Sequence, residues 1–204
     1  MKRVLILGSS LAKYLCFFDR RRSYWIWGQR VKFSYRFFPG KSFDYFLNPN
    51  HGHILDGALA FSPDYIIVIL GGNSIKSNVP QRVIMKEARE FYQLLNRKYL
   101  AINPRGVIVA SQILLRFIRD PNNRYHCPDP DEFAKRRNKL NRKILSLRYK
   151  HYLLVVAGPG NLDHEGYFRD GTHLGDEGLE FQLNRICDTL GNIFRREAGD
   201  ALRA

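Results

Sequence analysis

Cysteine is scarce in this chain. Cys16, Cys127 and Cys187 are the only three among 204 residues. Three is an odd number, and none of the spacings is CxxC or zinc-like, which argues against a disulfide framework and for reduced thiols. Long apolar runs are missing too. No stretch approaches eighteen uncharged apolar residues, so no membrane-spanning helix is expected. The N-terminal MKRVLILGSSLAKYLCFF does set two basic residues before an apolar run. Gly8, Ser9, Ser10 and Lys13 break that run, and no small-residue cleavage site follows it. It reads as a first strand and helix rather than a targeting signal, and an intracellular, cytoplasmic location is expected with it.

Acidic residues are also few, 19 Asp and Glu against 33 Lys and Arg, for a net charge of +14. Residues 1–50 carry ten Lys or Arg against only Asp19 and Asp44, so +8 arises there. KRRNKLNRK (135–143) adds six cations in nine positions. Such a balance favours polyanions, whether nucleic acid, acidic lipid headgroups or a charged substrate; a solvated charged surface is the plain reading beside it.

What is present is a regular alternation of apolar runs and helical patterns, in a length that fits one domain over residues 1–204. RVLIL (3–7) predicts a buried strand, with a helix from about Ser10. RVKFSYRFF (30–38) alternates Val31, Phe33, Tyr35 and Phe37 with Arg30, Lys32, Ser34 and Arg36. That period of two predicts a half-exposed strand at a sheet edge. HILDGALAF (53–61) predicts a helix, YIIVIL (65–70) a central parallel strand and GVIVA (106–110) another. A long helix after Pro80 takes an apolar stripe of Val83, Ala88, Phe91, Leu94, Leu95 and Tyr99. A helix over 129–150 buries Phe133, Leu140, Ile144 and Leu147 and turns Lys135, Lys139, Arg142 and Lys143 outward. YLLVVA (152–157) predicts the fifth strand. A last helix from Asp176 runs through Leu183, Ile186, Leu190 and Ile193. Strands alternating with helices specify an α/β fold, a three-layer doubly wound sandwich on a five-stranded parallel sheet.

On such a sheet ligands bind at the carboxyl ends of the strands. Gly8-Ser9-Ser10 follows the first strand, Gly40 the second, Gly71-Gly72-Asn73-Ser74 the third, and Asp170-Gly171-Thr172-His173 lies in the loop after the fifth. Their chemistry is complementary. Ser10 offers a hydroxyl nucleophile at a helix start. His173 is the natural base, and Asp170, three residues earlier, is near enough to fix its tautomer. The Ser10 N–H, the Gly40 N–H and the Asn73 amide are three candidate donors to an oxyanion.

These four blocks resemble the SGNH, or GDSL, hydrolases, whose Ser, Gly, Asn and His occur in this order on this fold. The resemblance spans residue 3 to the last helix and implies a flavodoxin-like strand order for the sheet. It implies a serine ester hydrolase acting through an acyl-enzyme on carboxylic esters, often acetyl or short-acyl, with a small ester or lipid as substrate and no cofactor. It implies Ser10, Asp170 and His173 as catalytic residues and Ser10, Gly40 and Asn73 as the oxyanion hole. Two positions depart from the family pattern: Ser9 stands for the aspartate before the nucleophile, and Ser74 for the one after the asparagine.

A different use of the same scaffold fits the charge, a module binding RNA, DNA or an anionic membrane surface, as in superfamily members that have lost catalysis or occur in mobile-element proteins. Its candidate contacts are Arg20, Arg21 and Arg22, with Lys135, Lys139, Arg142 and Lys143. Thirteen of the 27 aromatics fall within residues 14–46, among Arg20, Arg21, Arg22, Arg30, Lys32 and Arg36. Aromatics among cations can stack bases and hold phosphates, can form a greasy cationic lip for acyl chains, or can be core. Core ranks first for Phe33, Tyr35 and Phe37; SYWIW (23–27) divides evenly between surface and core. His51, His53, Asp163 and His164 match no zinc spacing, so no metal is expected.

Overall fold

The computed structural model describes residues 1–76, 78–114, 129–147 and 165–201. In chain order these form β1 (Lys2–Gly8), α1 (Ser10–Phe18), β2 (Ser23–Ile26), β3 (Gln29–Phe37), α2 (Phe43–Leu47), α3 (Gly52–Leu59), β4 (Tyr65–Ile69), α4 (Gln81–Ile102), β5 (Val107–Ala110), α5 (Pro130–Ser146) and α6 (Asp176–Ala201). Five strands make one sheet in the order β2-β3-β1-β4-β5. β3, β1, β4 and β5 run parallel.

β1 and β4 are apolar at nearly every position because both faces of the sheet are covered. Leu5, Leu7, Ile66 and Val68 pack with Phe43, Phe46, Phe91, Tyr92 and Leu140, from α2, α4 and α5. Val4, Ile6, Ile67 and Phe33 pack on the opposite face with Leu15, Ile186, Leu190 and Phe194, from α1 and α6. The α4 stripe is Ile84, Ala88, Phe91, Tyr92, Leu95 and Tyr99. Val83, expected in it, is exposed, because Ile84 rather than Val83 is in phase with Ala88 and Phe91. On α5, Lys135, Lys139 and Arg142 are exposed and Lys143 is half-buried, but Arg136 and Arg137 are buried. Arg136 donates through Nε to Gln81 Oε1 at 3.2 Å and through its terminal nitrogens to the Lys76 and Val79 carbonyls. It therefore binds the start of α4 rather than a ligand.

Two expectations about the sheet are corrected. The sheet is not wholly parallel, and β3 is not its edge. Residues 23–26 form β2, which runs antiparallel beside β3 and takes the edge itself. A strand of four residues with Trp25 exposed carries too little apolar alternation to be recognised from sequence. The two-residue turn Trp27-Gly28 has positive φ at both positions, +45° and +71°. That is the pattern of a type I′ turn, whose twist matches paired antiparallel strands. The strand expected at 152–157 lies outside the described residues.

One buried carboxylate ties this β2–β3 ribbon to the rest of the fold. Asp19, 2% exposed, ends α1. It accepts from the Tyr24 hydroxyl at 2.6 Å, from the Arg22 N–H at 3.0 Å and from the Tyr35 hydroxyl. Burial first, and then the bond to Asp19, pushes both phenols well above their ordinary value. They stay protonated and serve as donors.

Gly8 closes β1 where no side chain fits. A Cβ there would lie 2.4 Å from the Ile69 carbonyl oxygen and 2.9 Å from Ala12 Cβ. Glycine lets α1 start directly against β4, and the Ser9 N–H donates to the Ile69 carbonyl at 3.1 Å. The residue that follows, Ser10, thereby begins a helix at the carboxyl end of the sheet.

Candidate active site

Ser10 is the first residue of α1, where helical N–H groups have no partner within the helix and the macrodipole favours negative charge. The loop before α6 brings the other two groups to it. A bridge between Phe168 and Leu174 closes this loop, with Arg169 N–H donating to the His173 carbonyl at 3.0 Å. Gly171 turns it at a φ of +72°. Inside the turn, Asp170 Oδ1 accepts from the N–H groups of Thr172, at 2.9 Å, and His173, at 2.6 Å. Asp170 Oδ2 lies 2.7 Å from His173 Nδ1, and His173 Nε2 lies 3.1 Å from Ser10 Oγ. Residues separated by 163 positions thus form one chain of hydrogen bonds.

Burial alone would raise the Asp170 carboxyl. The bonds from the His173 ring, the His173 N–H and the Thr172 N–H outweigh it and hold the group below its ordinary 3.8. Asp170 is therefore ionised near neutral pH, the state that accepts the Nδ1 proton and leaves Nε2 free to accept from a hydroxyl. A carboxyl whose folded pKa is depressed adds stability above its unfolded pKa and loses it as pH falls through the folded value. Parent and Asp170→Asn should accordingly diverge least in Tm below the ordinary carboxylate range and most above about pH 5. Melting curves taken across pH 2–7 check this, and a constant gap would contradict it.

Tyr14, one turn along α1 from Ser10, packs edge-on against the His173 ring with centroids 4.8 Å apart. The Arg169 guanidinium lies over the Tyr14 ring, 4.1 Å from its centroid. The edge contact with Tyr14 limits how far the imidazole can swing. The sequence reading passed over it, although the four-residue spacing from Ser10 was a usable signal. Tyr14→Ala should lower kcat for an activated ester roughly three- to tenfold with little change in KM, and Tyr14→Phe should restore it.

A cavity of about 60 Å3 opens between these groups, lined by Ser10, Leu11, Leu70, Asn73, Ile113 and His173 among others. Its far wall is held from two layers. Asn141 on α5 grips the Ile113 backbone through both amide atoms, at 3.0 and 3.2 Å. Gln182 on α6 donates to Ser111 Oγ at 3.0 Å. Nothing in the local pattern of α5 marks Asn141, whose partner Ile113 is 28 residues away.

Asn73 lines the cavity, and its Nδ2 donates to the Lys41 carbonyl at 3.2 Å. Gly40, at a φ of +75°, is the neighbour of Lys41 and is exposed; it is not among the described residues that line the cavity. Ser74 is buried and accepts from the Phe43 N–H at 3.2 Å, so it satisfies the start of α2. Ser9 caps the turn into α1 through its backbone, accepting from Lys13 N–H at 3.3 Å. Arg20, Arg21 and Arg22 are exposed between α1 and β2, toward one edge of the sheet. Lys135, Lys139, Arg142 and Lys143 are on α5, which packs near the other edge beside the residues after β5. His51 Nδ1 lies 2.9 Å from the Tyr45 carbonyl oxygen, and His53 is exposed on α3.

No family profile and no curated protein matches the chain. Solved structures do. An acetyl esterase with acetate superposes at a TM-score of 0.63 and 13% identity, over 96% of this chain and 99% of its own. A carbohydrate esterase of family 3 from Talaromyces cellulolyticus gives 0.64 and 13%, over 96% and 99%. A proposed SGNH hydrolase from Slackia heliotrinireducens gives 0.62 and 14%, over 93% and 98%. This is the SGNH hydrolase fold. Within the SGNH architecture, the loops that follow β1 and β4 and the loop that precedes α6 meet at one crevice. All but one of the residues assigned from the resemblance line that crevice or complete its hydrogen-bonded chain; Gly40 reaches it only through Lys41.

Proposed function

We propose that this chain is a serine ester hydrolase that works through an acyl-enzyme. The observation that carries the reading is the unbroken Ser10–His173–Asp170 chain, at 3.1 and 2.7 Å. His173 Nε2 takes the Ser10 Oγ proton as the oxygen attacks the ester carbonyl. The carbonyl oxygen becomes an oxyanion and meets the Ser10 N–H and the Asn73 amide, the two assigned donors whose residues line the cavity; donors of this kind are each worth roughly 3 kcal/mol. His173 then hands its proton to the leaving alcohol oxygen, and the acyl group stays on Ser10. Water, deprotonated by the same Nε2, attacks the acyl carbon and frees the acid and the serine.

The acyl side is apolar and small. Leu11, Leu70 and Ile113 bound a space of about 60 Å3, which suits acetyl or another short acyl group. The acetyl and carbohydrate esterases that share the fold support that choice. A fluorophosphonate should add once per chain, with the label mapped by mass spectrometry to Ser10. A label on another residue, or none, refutes the reading. Hydrolysis of p-nitrophenyl acetate should exceed that of p-nitrophenyl octanoate, whose chain would extend beyond the space that Leu11, Leu70 and Ile113 bound.

A further inference from the structure

The β2–β3 ribbon carries features the ester chemistry does not use. Between Asp19 and Asp44 the sequence holds no acidic residue and seven cations. Strand alternation sorts them. Tyr24, Ile26, Val31, Phe33 and Tyr35 face the core, while Ser23, Trp25, Arg30, Lys32, Ser34 and Arg36 share the opposite face. Trp25, Arg30, Lys32 and Arg36 on that face are exposed, and Trp25 stands directly across from Arg30. Trp25 is 78% exposed, and Trp27, at the tip, is 47% exposed.

Trp27 is the more telling residue. It holds a φ of +45°, a region where Asn or Gly is at ease and a bulky side chain is an outlier. An exposed ring kept at a strained position contributes little to the fold, which points to use outside it. Round the free edge of β2, on the side that α6 covers, Trp25 and Trp27 border an open groove of about 510 Å3 with Arg185, Arg195 and Asn192, and Asp188 is the one carboxylate among the described residues that line it.

We propose that this ribbon face and its adjoining groove bind single-stranded nucleic acid. Trp25 and Trp27 stack on unpaired bases, Arg30, Lys32 and Arg36 contact phosphates on the outer face, and Arg185 and Arg195 take up phosphates where the strand passes round the free edge of β2 to the α6 side. Flat rings among cations are the recurrent chemistry of single-strand binding, since every base offers a π-face and every linkage a charge. Cations at alternate β3 positions repeat every ~6.6 Å, comparable to the phosphate spacing of an extended strand. A duplex hides the base faces the rings need. An anionic membrane is the poorer fit: of the other exposed large apolar side chains among the described residues, Phe17, Val83 and Ile102 sit on α1 and α4, and only Met1, beside β3, is near the ribbon. The surface is distinct from the crevice at Ser10 and does not depend on the ester reading.

The test is fluorescence anisotropy of a labelled oligouridylate of about 20 nucleotides, longer than one such face spans. Binding should weaken with salt, with a log–log slope near −2 to −3.5 for three to five phosphates. Trp25→Ser with Trp27→Gly should weaken it at least about 25-fold, given one to three kcal/mol per stacked base. Glycine relaxes the turn, so the Tm of that variant should not fall on account of position 27, and p-nitrophenyl acetate hydrolysis should be unchanged. Arg30→Ser with Lys32→Ser should flatten the slope by about 1.4. Lys135→Ser with Lys139→Ser, on α5, should change affinity less than twofold. The proposal is overturned by no binding at about 50 mM salt or by undiminished binding without the tryptophans. Equal or tighter binding of a duplex, or phosphatidylserine vesicles that capture the chain through the same tryptophans while the oligonucleotide does not, would also overturn it.

Discussion

Ser10→Ala is expected to reduce kcat/KM toward p-nitrophenyl acetate by about 10^4-fold or more. Nucleophile and base act as one unit, so removing either should remove nearly all the catalysis that both supply. His173→Ala should cost about the same, and the Ser10→Ala, His173→Ala double variant little more than either alone. That non-additivity is the useful reading. Two residues contributing separately would give a product of their single effects, whereas a proton relay loses its function once. The Oγ–Nε2 separation of 3.1 Å is already within hydrogen-bond reach, so no large loop movement is needed to assemble it. Steady-state kinetics on the three variants, with circular dichroism to confirm folding, checks this. Turnover by Ser10→Ala within tenfold of the parent would remove the serine mechanism.

The second large effect concerns stability. Asp19→Ala should destabilise the chain by about 3 kcal/mol, because the Tyr24 and Tyr35 hydroxyls and the Arg22 N–H would all lose their acceptor. For a chain of this size that corresponds to a fall in Tm of roughly 6–12 °C. Asp19→Asn keeps one carbonyl acceptor and should fall about half as far. Removing the tyrosine hydroxyls as well, with Tyr24→Phe and Tyr35→Phe, should recover part of the loss in the Asp19→Ala background, since no orphaned donors then remain. Thermal melts of these variants measure each step. A shift under 2 °C for Asp19→Ala would mean that water reaches the hydroxyls.

The parts of this fold that were legible in the sequence are those in which one local pattern has one outcome. VLIL and YIIVIL had to be buried on both faces, and the alternation of residues 30–38 had to present cations to one side. That Ser10, His173 and Asp170 come together was legible because each follows or precedes an element whose end falls at the same rim. β2 was not legible: four residues with an exposed tryptophan have no apolar period, and only pairing with β3 makes them a strand. Tyr14, Arg169 and Asn141 were missed for a related reason. Their roles come from partners distant in sequence or on another layer, and a period of 3.6 or 2 does not encode those. Arg136 and Arg137 show the same limit, since a count of six cations over 135–143 does not tell these two, which are buried, from the others.

The Trp27-Gly28 turn has a consequence for how this chain can vary. It connects Ile26 to Gln29 with no residue to spare, so its length sets the phase of everything across from it. Losing or gaining one residue there would slide β2 by one position against β3 and exchange inside for outside along the whole edge. Tyr24 would leave Asp19, and Trp25 would be driven toward the core. The outermost hairpin, remote from the serine, is therefore a segment whose length is fixed by its turn, so that a single insertion or deletion there would reach the core.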